Sequence, residues 1–358
     1  MSLRIFSLRR AVCGAAVALL AGLAGCADHY PQTTLRPESD FARISDHLLM
    51  QTVWWALLVF VVVEGALVFA IWRFRGRPGA PEPEQTHGNT TVEIVWTVIP
   101  AVILAMIAVP TVRAIFQTAA TPTDAIRIEV IGHQWWWEYR YPDLKIVTAN
   151  ELHVPVGQTV SLQMTTKDVL HSFWIPKFGG KRDVFPNRLN EIWFKAEVAG
   201  EYSGQCAEFC GVQHARMGLR VIAEEPAEFE AWVARQQVGS PLVDGGVTTD
   251  SQLVALAGPG SESVLAKGQA AFLAGGCIAC HAMAGTPLAG QLVLMGPNLS
   301  HVGSRTTIVA GMLKNTPENL ARWLRDPQAV KEGAFMRLPR PLTEEEIATL
   351  VAYLYAHK

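Results

Sequence analysis

The sequence lacks the features that would indicate a nucleic-acid-binding, repetitive or disulfide-stabilised protein. Its 358 residues carry 30 Lys and Arg against 32 Asp and Glu, a net charge of −2, so no excess of positive charge points to nucleic acid. It contains no internal repeat and no low-complexity tract. Only six cysteines occur, at positions 13, 26, 206, 210, 277 and 280. Each has another use, described below, so none remains for a structural disulfide. Hydrophobic residues, in contrast, make up 50% of the chain, which predicts membrane segments.

The N-terminus has the pattern of an export signal. Three arginines precede a short apolar run over residues 11–21, which is too short to span a bilayer. The run ends in Leu-Ala-Gly before Cys26, which resembles the lipobox of bacterial lipoproteins. We therefore predict a signal peptide over residues 1–25, removed together with Cys13, a lipid anchor at Cys26, and an extracytoplasmic segment over 26–46. The alternative is an uncleaved anchor in which Cys26 is incidental.

Two long apolar runs predict a transmembrane hairpin over residues 47–118. Residues 48–72 and 94–112 are each near the ~20 residues that a spanning helix needs. The short loop between them contains Arg73, Arg75 and Arg77, so it is predicted to be cytoplasmic. Everything after about residue 115 then faces the periplasm or the cell exterior. Glu64 lies inside the first run, where a carboxylate is expected to face protein rather than lipid.

The remainder of the chain divides into two domains of different type. Residues 124–237 contain apolar–polar alternation, as in Ile126, Ile128 and Val130, with turn residues between the runs and a short closing helix, which predicts an all-β sandwich or barrel. Residues 238–262 are rich in Gly and Pro and predict a flexible linker. Residues 263–358 have helical spacing, with Thr343 and Glu346 forming a capping box. We expect two separable modules joined by a tether. The nine Lys and Arg of the last domain are interpreted mainly as solvated surface.

A cluster of soft donors within the β domain predicts a copper site. Cys206, Cys210, His214 and Met217 fall within 12 residues, and a combination of sulfur and imidazole selects copper, with Met as the usual weak ligand. Two cysteines four apart on one loop can bridge two copper ions, and His171 supplies a second histidine. Sharing one electron between two metals keeps the geometry nearly constant on reduction. The alternatives are a disulfide, which explains neither His214 nor Met217, and zinc, which does not favour a thioether.

The last domain contains the attachment signal of a c-type haem. Cys277 and Cys280 would form the two thioethers and His281 would be an axial ligand. Met336, shortly before the last helix, is the predicted second axial ligand, as in small bacterial cytochromes c, and Met/His ligation raises the potential. The other methionines of the domain are interpreted as packing residues: Met283, Met295 and Met312.

These motifs resemble subunit II of haem–copper oxidases, with its CuA domain, over roughly residues 40–235. The matching segments are GHQWWWEY at 132–139, HSFWIP at 171–176, KRD at 181–183, RLN at 188–190 and the 206–217 loop. Trp136 stands where many members have tyrosine. The resemblance implies that binuclear CuA is held by these groups: His171, Cys206, Cys210, His214, Met217 and the backbone carbonyl of Glu208. It also implies a magnesium ion near the Glu208 side chain at the subunit I interface.

The resemblance assigns roles to two further residues. Trp135 would be the electron-transfer residue next to the copper site, the alternative being sheet core. Glu93 would stand at the mouth of a proton-uptake path into subunit I, the alternative being a helix N-terminal carboxylate that favours the helix dipole.

The sequence therefore predicts a multidomain membrane protein: two transmembrane helices, an all-β cupredoxin-like domain and an all-α class I cytochrome c domain. The fusion resembles the caa-type oxidases. Such a chain would relay electrons from cytochrome c or another donor, through haem c and CuA, to subunit I. The whole oxidase would be a proton-translocating enzyme, and it would reduce oxygen in subunit I. Expected partners are subunit I, other oxidase subunits and membrane lipid, in a bacterial inner membrane. The alternatives are a copper-delivery protein, which would need neither Met217 nor haem, and a quinol-oxidase subunit, which would lack the copper ligands.

Overall fold

A computed structural model of the chain describes residues 30–76, 79, 81–82, 85, 87–240, 262–292 and 295–358. Its contacts divide it into two units, one over residues 41–121 and one that holds residues from 122 onward together with those before 41. The first unit contains α1 (Asp40–Arg73) and α2 (Thr90–Ala119). Both are long and apolar enough to cross a membrane. The signal peptide and Cys26 predicted above lie outside the described residues.

Helix α2 begins at a well-defined cap. Asn89 precedes it, and its side chain accepts hydrogen bonds from the backbone N–H groups of Thr91 and Val92 at 3.1 and 3.2 Å, which satisfies donors that the first helical turn leaves free. Glu93 lies in that turn, close to the positive end of the helix dipole. In α1, the predicted intramembrane carboxylate Glu64 is exposed.

The β domain is a sandwich of two five-stranded sheets. The first has the strand order β3-β2-β1-β5-β8, and the second has the order β4-β10-β9-β6-β7. The strands are these: β1 (Ile126–His133), β2 (Trp136–Tyr141), β3 (Ile146–Ala149), β4 (Glu151–Pro155), β5 (Thr159–Thr166), β6 (His171–Trp174), β7 (Arg182–Val184), β8 (Asn190–Lys195), β9 (Gly200–Cys206) and β10 (Gly218–Glu224).

Pairing within the sandwich is mostly antiparallel. The exceptions are β1 with β5 and β10 with β4, which run parallel. Alternate side chains such as Leu219, Val221 and Ala223 of β10 point into the buried core. A turn separates β4 from β5, and Gly157 adopts a φ of +79° there, which glycine tolerates without steric cost. Helix α3 (Pro226–Gln237) follows the sheets and buries Phe229 and Trp232.

The C-terminal domain is helical, with one short two-stranded ribbon. Its elements are α4 (Glu262–Ala274), β11 (Thr307–Ile308), β12 (Leu313–Lys314), α5 (Pro317–Arg325), α6 (Pro327–Val330) and α7 (Glu344–Ala356). The predicted capping box at the start of α7 is present. Phe272 of α4 and Tyr353 of α7 pack in the core, where Gly268 is required because a Cβ would collide with the Tyr353 ring. The linker residues 241–261 lie outside the described part of the chain.

Candidate redox centres

The sandwich brings the predicted copper donors to one end of the second sheet. His171 is the first residue of β6 and Cys206 is the last residue of β9, a neighbouring strand. The chain then turns through Cys210 and a 3-10 turn at His214–Arg216, and Met217 directly precedes β10. Neighbouring strands and one short loop therefore position all of these side chains.

The donor atoms lie within a few ångströms of one another. Cys206 Sγ is 3.8 Å from Cys210 Sγ and 3.8 Å from His171 Nδ1, while the Glu208 carbonyl oxygen is 3.3 Å from Cys206 Sγ. Cys210 Sγ is 3.6 Å from His214 Nδ1 and 3.8 Å from Met217 Sδ. Two thiols, two imidazoles, a thioether and a carbonyl therefore converge on one small volume.

The hydrogen bonds and the pKa shifts of this cluster favour the binding of a cation. His171 Nε2 is bonded to Asp168 Oδ1 at 2.8 Å, which leaves Nδ1 facing the sulfur atoms, the arrangement that orients metal-binding histidines. The hydrogen bond from Cys210, followed by that from His171, lowers the pKa of Cys206 despite its burial. The same sulfur–sulfur contact, together with burial, raises the pKa of Cys210, since two thiolates repel each other. A metal cation would relieve that repulsion.

The residues present fit copper better than the alternatives. A disulfide requires a sulfur–sulfur distance near 2.05 Å, whereas Cys206 and Cys210 are free thiols 3.8 Å apart. Structural zinc sites use Cys and His, and a buried thioether at Met217 (1% exposed) has no role in them. Soft sulfur with imidazole and a weak methionine is the donor set of protein copper sites.

Two further predicted residues lie at the edge of this cluster. Trp135 is 6% exposed, and its Nε1 donates to the Cys210 carbonyl at 2.9 Å, so its indole contacts the loop that carries the donors. The side chain of Glu208 is half-exposed and faces Lys181, with 3.9 Å between Oε2 and Nζ. The Glu208 carboxylate is therefore partly accessible from outside the loop.

The predicted haem ligands line a cavity of about 210 Å³. Cys277, Cys280 and His281 are part of its wall, and Cys277 begins a 3-10 turn. His281 Nδ1 is bonded to the Pro297 carbonyl at 2.8 Å, which orients the ring and leaves Nε2 for a metal. Gly296 is required next to it, because a Cβ there would collide with the imidazole. An apolar cavity with an oriented imidazole and two thiols on its wall fits a covalently attached haem.

The structure separates the candidate methionines. Met336 and Met295 both line the cavity, but Met295 is 63% exposed, whereas Met336 is half-buried and packs against the hydrophobic core. Met283 is fully buried in that core, away from the cavity wall. Of these three methionines, only Met336 both lines the cavity and packs against the core, and its role as an axial ligand stays a prediction.

Two cations of the cavity wall were not expected as functional residues from the sequence. Burial lowers the pKa of Arg305 to about 10, partly offset by Glu151, and its buried Nε has no partner among the described residues. Burial, then repulsion from Arg216, lowers the pKa of Lys331 to about 8. Haem carries two acidic side groups, so the half-buried Arg305 and the buried Lys331 in this wall fit it. No short motif marks such residues, because most Lys and Arg are solvated.

The two domains and the two long apolar helices together indicate a class of protein. Two apolar helices long enough to span a membrane, a sandwich with a soft-donor cluster that could hold a metal, and a helical domain with a haem attachment signal are together typical of a membrane-bound electron carrier. Three family descriptions match the chain: "Cytochrome C oxidase subunit II, transmembrane domain" over residues 37–114, "Cytochrome C oxidase subunit II, periplasmic domain" over 144–224 and "Cytochrome c" over 265–358.

Similar proteins match along almost the whole chain. A "Cytochrome c oxidase subunit 2" of Alkalihalophilus pseudofirmus is 36% identical over 346 residues, which cover 94% of each chain. Another from Bacillus sp. (strain PS3) is 35% identical over 356 residues, again covering 94% of each. The crystal structure of the periplasmic domain of cytochrome oxidase subunit II of Bradyrhizobium japonicum is 38% identical and covers 33% of this chain and 96% of its own, with a TM-score of 0.32.

The chain belongs to the cytochrome c oxidase subunit II family. It is the subunit through which electrons enter the oxidase, and it carries a cytochrome c domain at its C-terminal end. It is a membrane protein with the periplasmic domain of that family.

Proposed function

We propose that the chain receives electrons in its haem domain and passes them, through its copper domain, to an oxygen-reducing subunit I. The observation that carries this proposal is the largely buried cluster of two thiols, two imidazoles and a thioether, whose neighbouring donor atoms lie 3.6–3.8 Å apart. A binuclear copper centre and a haem c, when bound, supply two one-electron centres between donor and acceptor. A copper-delivery role finds no support, because the relatives named above are oxidase subunits and delivery needs neither the thioether nor the haem domain.

The copper would be held by His171, Cys206, Cys210, His214, Met217 and the Glu208 carbonyl. Asp168 fixes the His171 ring through a 2.8 Å hydrogen bond, and this holds Nδ1 in place whether or not the centre is reduced. A site held by neighbouring strands resists movement, which keeps the reorganisation on electron transfer small. Trp135, bonded to the Cys210 carbonyl, is the electron-transfer residue at this site.

In the haem domain, Cys277 and Cys280 would form the thioethers, while His281 and Met336 would be the axial ligands. The Pro297 carbonyl orients His281, and Met/His ligation suits a high-potential electron carrier. The donor would be cytochrome c or another respiratory donor.

Three finer assignments belong to the same proposal. The half-exposed Glu208 carboxylate would help hold a magnesium ion at the subunit I interface. Glu93, in the exposed first turn of α2, would stand at the entrance of a proton-uptake path, where Glu93→Gln should slow turnover and leave copper reduction unchanged. Cys26 would carry a lipid anchor on a bacterial inner-membrane protein.

The test is spectroscopic and uses the purified full-length chain. We expect covalently bound haem c in the visible spectrum and a mixed-valence copper signal in electron paramagnetic resonance, with two copper atoms and one haem per chain. A single blue-copper signal, or zinc in place of copper, would overturn the copper assignment. Haem that is extracted by acidified organic solvent would overturn the covalent attachment.

A further inference from the structure

The haem domain packs directly against the copper domain, and a single carboxylate forms the centre of one contact. Glu151, the first residue of β4 and 1% exposed, accepts four hydrogen bonds from Thr306 and Thr307 of the haem domain. The two backbone N–H groups donate at 3.0 and 2.7 Å, and both hydroxyl groups donate at 2.8 Å. A buried carboxylate needs such partners, and charge-assisted bonds of this type are among the strongest in proteins.

The segment after Thr307 continues the contact along β10. The Gly218 N–H donates to the Ala310 carbonyl at 3.2 Å, and Arg220 Nη2 donates to the Gly311 carbonyl at 3.3 Å. Position 218 has to be glycine for this approach, because a Cβ would lie 2.9 Å from the Ala310 oxygen. The copper domain therefore presents a surface shaped for this segment of its own chain.

A second contact covers the tryptophan beside the copper loop. Lys331, 4% exposed, donates from Nζ to the Trp135 carbonyl at 3.0 Å. The Phe335 ring lies 5.0 Å from the Trp135 ring, centre to centre, and Gln213 Nε2 donates to the Glu332 carbonyl. These residues directly precede Met336, so one short segment joins the wall of the haem cavity to the copper loop.

We propose that Glu151 is the positioning residue of an intramolecular lock that holds the haem domain over Trp135 and closes that face of the copper domain to external proteins. The lock itself stands on the contacts above, and only its consequence for electron donors depends on the proposed function. An external donor can then be received on the haem domain but not at Trp135. The consequence is that the linker serves as a connection between docked domains rather than as a tether for a free one.

The lock is tested by hydrogen–deuterium exchange of the full-length chain, followed by mass spectrometry of its peptides. Glu151→Gln keeps the side-chain shape but places an amide opposite an N–H donor, so at least one bond and the charge are lost. We expect exchange to accelerate about tenfold in peptides spanning residues 304–310 and 133–137, which lie in the two contacts. Glu230→Gln, an exposed change on α3 of the same domain, is the matched control and should leave both peptides unchanged.

Two results would overturn the lock: exchange at 133–137 that is already fast in the unaltered chain, or acceleration at 304–310 alone in Glu151→Gln. Should Glu151→Gln fail to accumulate, Thr307→Val removes one hydroxyl donor and should give a smaller acceleration in the same two peptides. No change in either peptide would contradict the proposal.

The consequence for donors is tested separately, by rapid mixing with a reduced soluble cytochrome c. Direct reduction of copper, without prior haem reduction, should be absent in the unaltered chain and in Glu230→Gln, and should appear in Glu151→Gln. Direct copper reduction in the unaltered chain would contradict closure. A failure of the proposed function would be seen independently, as missing copper or haem signals in the unaltered protein, with the exchange pattern unaffected.

Discussion

The two candidate redox centres are built in different ways. The copper donors are in mutual contact at 3.3–3.8 Å, held by strand ends and one loop, whereas the haem ligands surround a cavity of about 210 Å³. In the sandwich, the protein core is complete without the metal. In the helical domain, the cofactor would itself fill part of the core. The β domain is therefore expected to stay folded without copper, whereas the haem domain is expected to need its cofactor in order to stay folded.

The largest effect should follow from removing the haem attachment. In Cys277→Ala/Cys280→Ala the haem would no longer be held in the cavity. The free energy of unfolding should then fall by roughly 5 kcal/mol, if about 24 cal/mol per Å³ applies to a cavity of about 210 Å³. We expect the haem domain to lose cooperative unfolding while the copper signal persists. Chemical denaturation followed by circular dichroism and paramagnetic resonance measures both. Cooperative unfolding of the haem domain without haem would contradict the expected difference between the two domains.

The matching change in the other domain should affect chemistry and not the fold. Cys206→Ser should abolish the mixed-valence copper signal, because an alcohol cannot replace a bridging thiolate, while the unfolding of the β domain changes by about 1 kcal/mol or less. Paramagnetic resonance and denaturation of the same sample measure this, with Cys277→Ala/Cys280→Ala as the reciprocal control. A retained mixed-valence signal would mean that the ligand assignment is wrong.

The axial ligand of the haem gives a smaller, local effect. Met336→Leu should lower the haem potential, because the thioether that favours the reduced form is lost. Met295→Leu, at a cavity-lining but 63% exposed position, is the matched control and should leave the potential unchanged. A redox titration of the haem absorbance measures both. A shift in the Met295 variant alone would transfer the ligand role to that residue.

The last effect is a difference in acid sensitivity, which is smallest near neutral pH and grows as the pH falls. Burial, then repulsion from Arg305, lowers the pKa of His301 in the haem domain to about 3, below the value near 6.5 in the unfolded chain. As the pH falls from about 6.5 towards 3, the unfolded state therefore binds the proton first, and folding stability is lost by up to about 1.4 kcal/mol per pH unit. His301→Gln should reduce the dependence of the free energy of unfolding on pH, whereas His87→Gln, at an exposed position, should leave it unchanged. Denaturation of the haem domain at several pH values measures it, and parallel slopes would contradict it.

The sequence predicted the classes of element and the candidate ligands because those signals are local. Apolar runs, period-two alternation, the Thr343 capping box and the spacing of Cys277, Cys280 and His281 are each readable within a few residues. Contacts between domains are not readable in this way. Arg305 and Lys331 belong to the Lys and Arg that the sequence interpretation placed mainly on the solvated surface, yet Lys331 is buried and Arg305 is half-buried. Glu151 is also buried, and no local sequence signal marks it.

The same limitation applies to the linker, whose flexibility stays a prediction. Gly and Pro in the linker predict freedom of movement, and linker composition carries no information about whether the domains that it joins have complementary surfaces. The complementarity depends on particular positions, such as Gly218 opposite the Ala310 carbonyl, whose significance appears only when distant segments are brought together. Glu93 and Glu208 stay predictions for a related reason, because their proposed roles depend on a partner subunit.

The central claim is that electrons reach the copper centre through this chain's own haem domain. The most direct measurement is stopped-flow absorbance of the fully loaded, full-length protein mixed with a reduced donor, following the haem and copper signals together. We expect haem reduction first, with a rate proportional to donor concentration, and then copper reduction at a rate independent of that concentration. Copper reduction that precedes haem reduction, or that follows donor concentration by itself, would contradict the account.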